Sequence, residues 1–275
     1  MTPFDAGDTA LTAAGLAAFP GYRLRAVART SSTQDLGRAA VRAGASPGWC
    51  VVAEEQTAGR GRQGRAWTAP PGAALLVSIV LRCRGPLGWL PLAAGVAVAE
   101  AIEVVSGVTA RVKWPNDVLD ASGGKLAGLL AEVEPAPSSG TGTPVVLGIG
   151  VNVAVDTFPS GVRGSSLHRL GAGPPPAREA LLGGILTALA GRAAQVDKRE
   201  IAAVERAWLD RAVGIGETVV VDGPAGRVSG IALGVDGDGA LLLRTPEQTL
   251  HLLAADVHMN GGGGPPGAPP AGELS

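Results

Sequence analysis

Lysine is nearly missing from this 275-residue sequence: of 23 basic residues, only Lys113, Lys125 and Lys198 are lysine, and the other 20 are arginine. Aromatic residues are also scarce, at 3%. Two cysteines, Cys50 and Cys83, and three scattered histidines, His168, His251 and His258, match no metal-ligand spacing, which excludes a zinc-finger type of site and a disulfide framework. Apolar stretches such as 87–105 are interrupted by Pro91, Gly95, Glu100 and Glu103, so none reads as a membrane span. The N-terminal MTPFDAGDTALTAAGLAAF lacks a basic n-region and carries two aspartates, unlike a secretory signal. With 24 acidic residues the formal net charge is −1, which argues against a protein held to nucleic acid by bulk charge. What is left is a 46% hydrophobic chain, long enough for a sizeable core and read here as cytoplasmic, with no membrane partner.

Hydrophobic periodicity divides the chain. Residues 1–21 read as a flexible leader. Tyr22–Thr30 alternates and predicts a strand. Ser32, three residues before Asp35, is a loose capping box opening a helix to about Ala43. Strands are expected at Trp49–Ala53, Ala74–Arg82, Arg111–Lys113, Leu126–Val133 and Pro144–Val153, with a buried helix over Leu90–Val105. The stretch from Asp156 to Pro176 reads as loop, and helices follow at Ala177–Gln195 and Glu200–Ala212. From Gly216, four or five short strands separated by DGPAG and DGDG turns predict a small antiparallel barrel. The tail of Gly and Pro is low-complexity and reads as disordered.

Four segments carry candidate chemistry. Residues 54–67, EEQTAGRGRQGRAW, contain Gly59-x-Gly61-x-x-Gly64, the spacing of a dinucleotide fingerprint. That motif must open a helix, whereas RAWTAPPG follows here, so a Rossmann site is rejected. The loop instead offers Arg60, Arg62 and Arg65 on a backbone read as flexible, able to fold over an anion. An arginine–glycine RNA-binding tract is the competing reading. In Lys113-Trp-Pro-Asn116-Asp117 the proline ends a strand in a turn that presents two polar side chains. Gly123-Gly124-Lys125 is no Walker A loop, because no Ser or Thr follows the lysine. Asn152 is a polar residue on a strand whose Gly148 and Gly150 mark close approach of a ligand or another backbone.

Together these segments resemble the biotin protein ligases. Ser32-Thr-Gln34, Gln56 with Gly59–Arg65, Lys113–Asp117, Gly124–Glu132 and Gly148–Asn152 stand in the order of that family, over about residues 22–255. The resemblance implies an α+β catalytic domain over 22–213, a mixed sheet with flanking helices, then an SH3-like domain over 214–258 and a tail over 259–275. It implies biotinyl-5′-AMP formation from biotin and ATP with Mg²⁺, then transfer of biotin to a lysine of the biotin carboxyl-carrier domain of acyl-CoA carboxylases. No tightly bound metal is implied. By that resemblance biotin meets Ser32, Thr33, Gln34, Gln56, Arg60, Gly61, Arg62 and Lys125. The nucleotide meets Arg65, Trp67, Lys113, Asn116, Asp117 and Asn152, with Asp117 also near Mg²⁺. Lys125, Arg60 and Arg62 would be catalytic. Relatives commonly have Asn where Gln34 stands. The short segment before the first strand leads to an expectation of a ligase that does not bind DNA. A lipoate or octanoate ligase of the same superfamily is the alternative enzyme.

Overall fold

The computed structural model describes residues 21–135, 142–171, 173–223, 226–253 and 255–259. The expected flexible leader and disordered tail fall outside these, apart from Gly21 and Met259. The chain forms two units, one running to Val213 and taking in Gly237–Gly239, the other made of Gly214–Asp236 and the residues from Ala240 onward.

In the first unit seven strands form one mixed sheet. They are β1 (Arg23–Thr30), β2 (Trp49–Gln56), β3 (Ala74–Cys83), β4 (Ala110–Lys113), β5 (Asp117–Asp120), β6 (Lys125–Val133) and β7 (Thr143–Asn152), in the order β1-β2-β3-β7-β6-β5-β4. β1 and β2 run parallel, joined through helix α1 (Thr33–Arg42), and every other neighbouring pair is antiparallel. Strand β5 was not expected: it takes Asp117 from the predicted WPND turn and residues 118–120, to which the sequence assigns no element. Four residues show no periodicity of their own, and β5 gains its shape from pairing with β4 and β6. The Trp114–Pro115 peptide between β4 and β5 is cis.

Alternation along the strands gives this sheet two unlike faces. Helix α2 (Trp89–Ser106) packs on β4, β5 and β6, and also against α4 (Arg178–Asp197) and α5 (Ile201–Leu209). As its all-round apolar sequence predicts, α2 is a core helix: it is long and apolar enough to cross a membrane, yet 67% of it is buried here. Small residues let α2 and α4 approach, since a Cβ on Gly184 would lie 3.2 Å from Ala101. Helix α1 packs on β2, β3 and β7, with Val41 against Val80 and Val146. Gly37 admits this packing, because a Cβ there would stand 2.5 Å from Val146 Cγ1.

Ser32 caps α1 as expected, its hydroxyl accepting from the Gln34 main-chain N–H, but Asp35 does not complete the box and pairs with Arg60 instead, at 3.2 Å. A short helix, α3 (Leu167–Leu170), lies in the segment expected to be loop. The second unit is an antiparallel sheet of β8 (Thr218–Gly223), β9 (Gly226–Val235), β10 (Leu241–Arg244), β11 (Thr249–Leu252) and β12 (Asp256–Met259), in the order β11-β10-β9-β8-β12. Arg227 of β9 and His258 of β12 both engage Asp222 of β8. The Arg227 hydrogen bonds, aided by the His258 charge, hold the Asp222 carboxyl down at about 2.

Candidate active site

Rows of cross-strand partners on the face shared with α1 explain where the motifs meet. One row runs Lys113, Asp117, Gly128, Gly150, Leu76 and Ala53, across six strands. The next contains Leu130, Gly148 and Ser78. A third holds Glu132, Val146 and Val80. Motifs far apart in the chain thus become neighbours about 7 Å apart along the strands or one strand spacing across.

In the first row the glycines form a floor. A Cβ on Gly150 would lie 2.5 Å from Trp67 Cε2, and one on Gly128 would lie 2.9 Å from Trp67 Cζ3. The Trp67 ring therefore lies directly on the sheet backbone, and the Lys125 ammonium stands over it at 5.7 Å. Asp117 sits between the two lysines, with Oδ1 2.6 Å from Lys125 Nζ and Oδ2 3.6 Å from Lys113 Nζ. Two of the three lysines of the chain thus meet at one carboxylate. The Trp67 Nε1–H is buried without a partner among the described residues.

Lys125 opens β6 in a clamped main chain. Its N–H donates to Arg163 O, and its carbonyl accepts from the Ser165 N–H and from Asn152 Nδ2. Asn152, expected in the nucleotide pocket, spends that amide hydrogen on the Lys125 carbonyl. Asp120, which sequence reading missed, shapes the preceding turn: its buried Oδ1 accepts from the Ser122 and Gly124 N–H groups, each at 2.8 Å. Replacing Asp120 by alanine leaves both donors unpaired and should destabilise the protein by about 1–3 kcal/mol. Urea denaturation would measure this, and Asp120→Asn, which keeps an acceptor, should recover most of the loss.

The arginine segment is a closed hairpin rather than the flexible loop expected. Gly61 N–H donates to Arg65 O at 2.7 Å and Trp67 N–H to Gly59 O at 2.9 Å, around a single 3-10 turn at Arg62–Gly64. The glycines serve fit and turn geometry: a Cβ on Gly59 would lie 2.4 Å from Trp67 O, and Gly64 has φ +73°. The arginines are engaged. Arg60 reaches Glu132 at 3.0 Å and Asp35 at 3.2 Å, and Arg62 donates to Asn116 Oδ1, whose own Nδ2 donates to Leu129 O. Arg65 Nε donates back to Arg62 O. Such commitments to acidic and amide partners disfavour the RNA-tract reading. Between the hairpin, Leu130 and Glu132 lies a cavity of 590 Å³, within the range of small-molecule sites.

At the start of α1, the Thr33 main-chain N–H donates to Gln56 Oε1 at 2.7 Å, and Thr33 Oγ1 stands 2.9 Å from the same oxygen. Gln34, expected to touch biotin, is buried and its carboxamide is spent on the framework. Its Nε2 donates to Val146 O at 2.9 Å, and its Oε1 accepts from Ser78 Oγ at 3.0 Å. Gly148 makes room for it, since a Cβ there would lie 2.6 Å from Gln34 Oε1. Sequence reading passed over Ser78, although a lone hydroxyl in an apolar ten-residue strand is the same signal that singled out Asn152. It also gave no role to Glu134, a buried carboxylate that holds Arg38 and Arg42 of α1 at 2.6 and 3.3 Å.

No group of three potential metal ligands occurs among the described residues. The lysines on both oxygens of Asp117 do not fit the Mg²⁺ contact expected of it.

A sheet face with a glycine floor, a lysine pair and an arginine hairpin suits an anionic ligand, and the profile described as the Biotin/lipoate A/B protein ligase family matches residues 26–152. The profile of the Biotin protein ligase C terminal domain matches residues 214–259. The biotin–[acetyl-CoA-carboxylase] ligase of Mycobacterium tuberculosis is 39% identical over 250 residues, covering 86% of this chain and 89% of that protein. The bifunctional ligase/repressor BirA of Bacillus spizizenii is 33% identical over 234 residues, covering 83% of this chain and 71% of its own. Among solved structures, the biotin protein ligase from Aquifex aeolicus in complex with biotin and ATP superimposes with a TM-score of 0.75 at 25% identity, covering 86% of this chain and 99% of that one. The chain belongs to the biotin protein ligase family.

Proposed function

We infer that this protein activates biotin with ATP and attaches it to a lysine of a biotin carboxyl-carrier domain, as a ligase. The observation that carries the reading is one sheet face on which a hydroxyl–amide network (Thr33, Gln56, Gln34) gathers on Ser78, one row from the row of Asp117, where a lysine pair (Lys113, Lys125) meets. That combination suits an acid with a polar ring at one end and a carboxylate at the other. In the first step a biotin carboxylate oxygen bonds to the α-phosphorus, and pyrophosphate leaves with the bridging oxygen. Three anionic groups crowd there, so cations held in place lower the barrier. Lys125, fixed through its main chain, supplies a compact charge, and Asp117 keeps it and Lys113 side by side. Trp67 with its unpaired indole N–H, Arg65, Asn116 and Asn152 line the nucleotide side, and Ser32, Arg60, Gly61 and Arg62 the biotin side. In the second step the amine of the acceptor lysine attacks the anhydride carbonyl, and AMP leaves. The hairpin, latched by Arg60 to Asp35 and Glu132, shields the anhydride from water until then. Mg²⁺ would come with ATP and offset phosphate charge, with no residue of this chain assigned to it. We assign the reaction to the cytoplasm.

The lipoate alternative is disfavoured by the same network. A dithiolane ring carries no N–H or C=O group, and the half-buried Gln56 carboxamide facing it would lose its solvent without gaining a partner. Incubation with biotin, ATP and Mg²⁺ is expected to give biotin-dependent exchange of pyrophosphate into ATP, undiminished by excess lipoate. A folded protein that shows no such exchange would sink the reading.

A further inference from the structure

Counting protons around Thr33 gives Ser78 a role. Three hydroxyl-mediated contacts link four residues in a chain: Gln56 Oε1 to Thr33 Oγ1 at 2.9 Å, Thr33 Oγ1 to Ser78 Oγ at 2.9 Å, and Ser78 Oγ to Gln34 Oε1 at 3.0 Å. Two hydroxyls supply two protons, so one contact lacks one. Burial decides which. Gln34 is 3% exposed, its Nε2 is turned to the Val146 and Leu130 carbonyls, and Ser78 is the donor that its Oε1 has among the described residues. The Ser78 proton therefore goes to Gln34. Ser78 Oγ, itself fully buried, then takes the Thr33 proton. Gln56, which is only half-buried, keeps the Thr33 main-chain N–H at 2.7 Å and is left with an acceptor site on Oε1 that no protein proton fills.

Resting on the function inferred above, we propose that Ser78 is a specificity-determining positioning residue: by drawing the Thr33 proton away, it leaves Gln56 Oε1 open to accept an N–H from the cyclic urea of biotin. Ser78 need not touch the ligand. It sets the polarity of a group that does, and so selects acids whose ring carries an N–H donor. Without the Ser78 hydroxyl, the Thr33 proton swings to Gln56 Oε1 and closes that acceptor.

Steady-state pyrophosphate exchange by the full chain tests this in a double-mutant cycle. Ser78→Ala is expected to raise the biotin KM about tenfold, the worth of one hydrogen bond, with kcat changed less than about threefold. In a Thr33→Val background, where no proton is left to redirect, the same substitution should change KM less than about twofold. An unchanged KM in Ser78→Ala, or an equal effect in both backgrounds, would overturn the proposal. So would a fall in kcat as large as the rise in KM, because it marks a purely structural role. Absence of biotin-dependent exchange by the unmodified protein would refute the functional reading, and this proposal with it.

Discussion

Lys125→Ala is expected to slow biotin-dependent pyrophosphate exchange about 10²–10³-fold, the loss typical when a group that stabilises developing charge is removed. The argument is geometric. The Lys125 main chain is held by Arg163, Ser165 and Asn152, and its ammonium is confined between the Asp117 carboxylate and the Trp67 ring. It therefore needs little reorganisation as charge gathers on the phosphorus and carboxylate oxygens. Lys113 is no substitute, because its Nζ stands 3.6 Å from the other oxygen of Asp117. Lys125→Arg should recover little activity. A planar fork does not replace a compact charge in the space above Gly128, where a Cβ would already lie 3.0 Å from Lys125 Cε. The side chain is partly exposed, so the melting temperature of Lys125→Ala should stay close to that of the parent. Activity within a few-fold of the parent would return Lys125 to the status of a strand-end surface residue.

The second large effect is expected from a single methyl group. Gly150→Ala would set a Cβ 2.5–2.9 Å from three atoms of the Trp67 indole, Cε2, Cζ2 and Nε1. The ring cannot slide toward β6, because its other edge rests on Gly128. It must lift off the sheet or the strands must part, and overpacking of this kind costs about 1–3 kcal/mol. Because Trp67 also anchors the base of the hairpin through its main-chain N–H to Gly59 O, the cost falls on the site itself. We expect the ATP KM to rise at least about tenfold, the equivalent of 1.4 kcal/mol, together with a red shift of tryptophan fluorescence. Unchanged fluorescence and kinetics would show that the sheet yields and the ring does not.

Several parts of this site were legible in the sequence because the responsible physics is local. Pro115 disfavours helical geometry at Trp114, which forces a break after Lys113. Glycines inside β7 announced a close approach, and the partners turned out to be the Trp67 ring and the Gln34 carboxamide. The α2 sequence, apolar on every side, announced a helix in the core. Other parts were not legible, for reasons that are equally physical. Strand β5 has no pattern of its own and is made by its neighbours. Glycine content suggested a mobile arginine loop, whereas cross-loop hydrogen bonds and the Arg60 ion pairs close it. Gln34 and Asn152 carry amides that could serve either ligand or framework, and only their neighbours assign Gln34 to β7 and β6 and an Asn152 N–H to Lys125.

Lysine scarcity shows the same division. By itself the sequence determined that the chain has three lysines, that two stand beside turns in one short window, and that five motifs occur in a family order. It determined the order of strands and helices wherever periodicity and turn residues act over a few positions. The tertiary structure decided that Lys113 and Lys125 share Asp117, that Asp120 sets the turn before one of them, and that Ser78 and Glu132 belong to the site at all. Side-chain identity constrains a residue's own backbone over a few positions. Which proton, carboxylate or ring it meets depends on cross-strand register, and register is set only when the whole sheet is assembled.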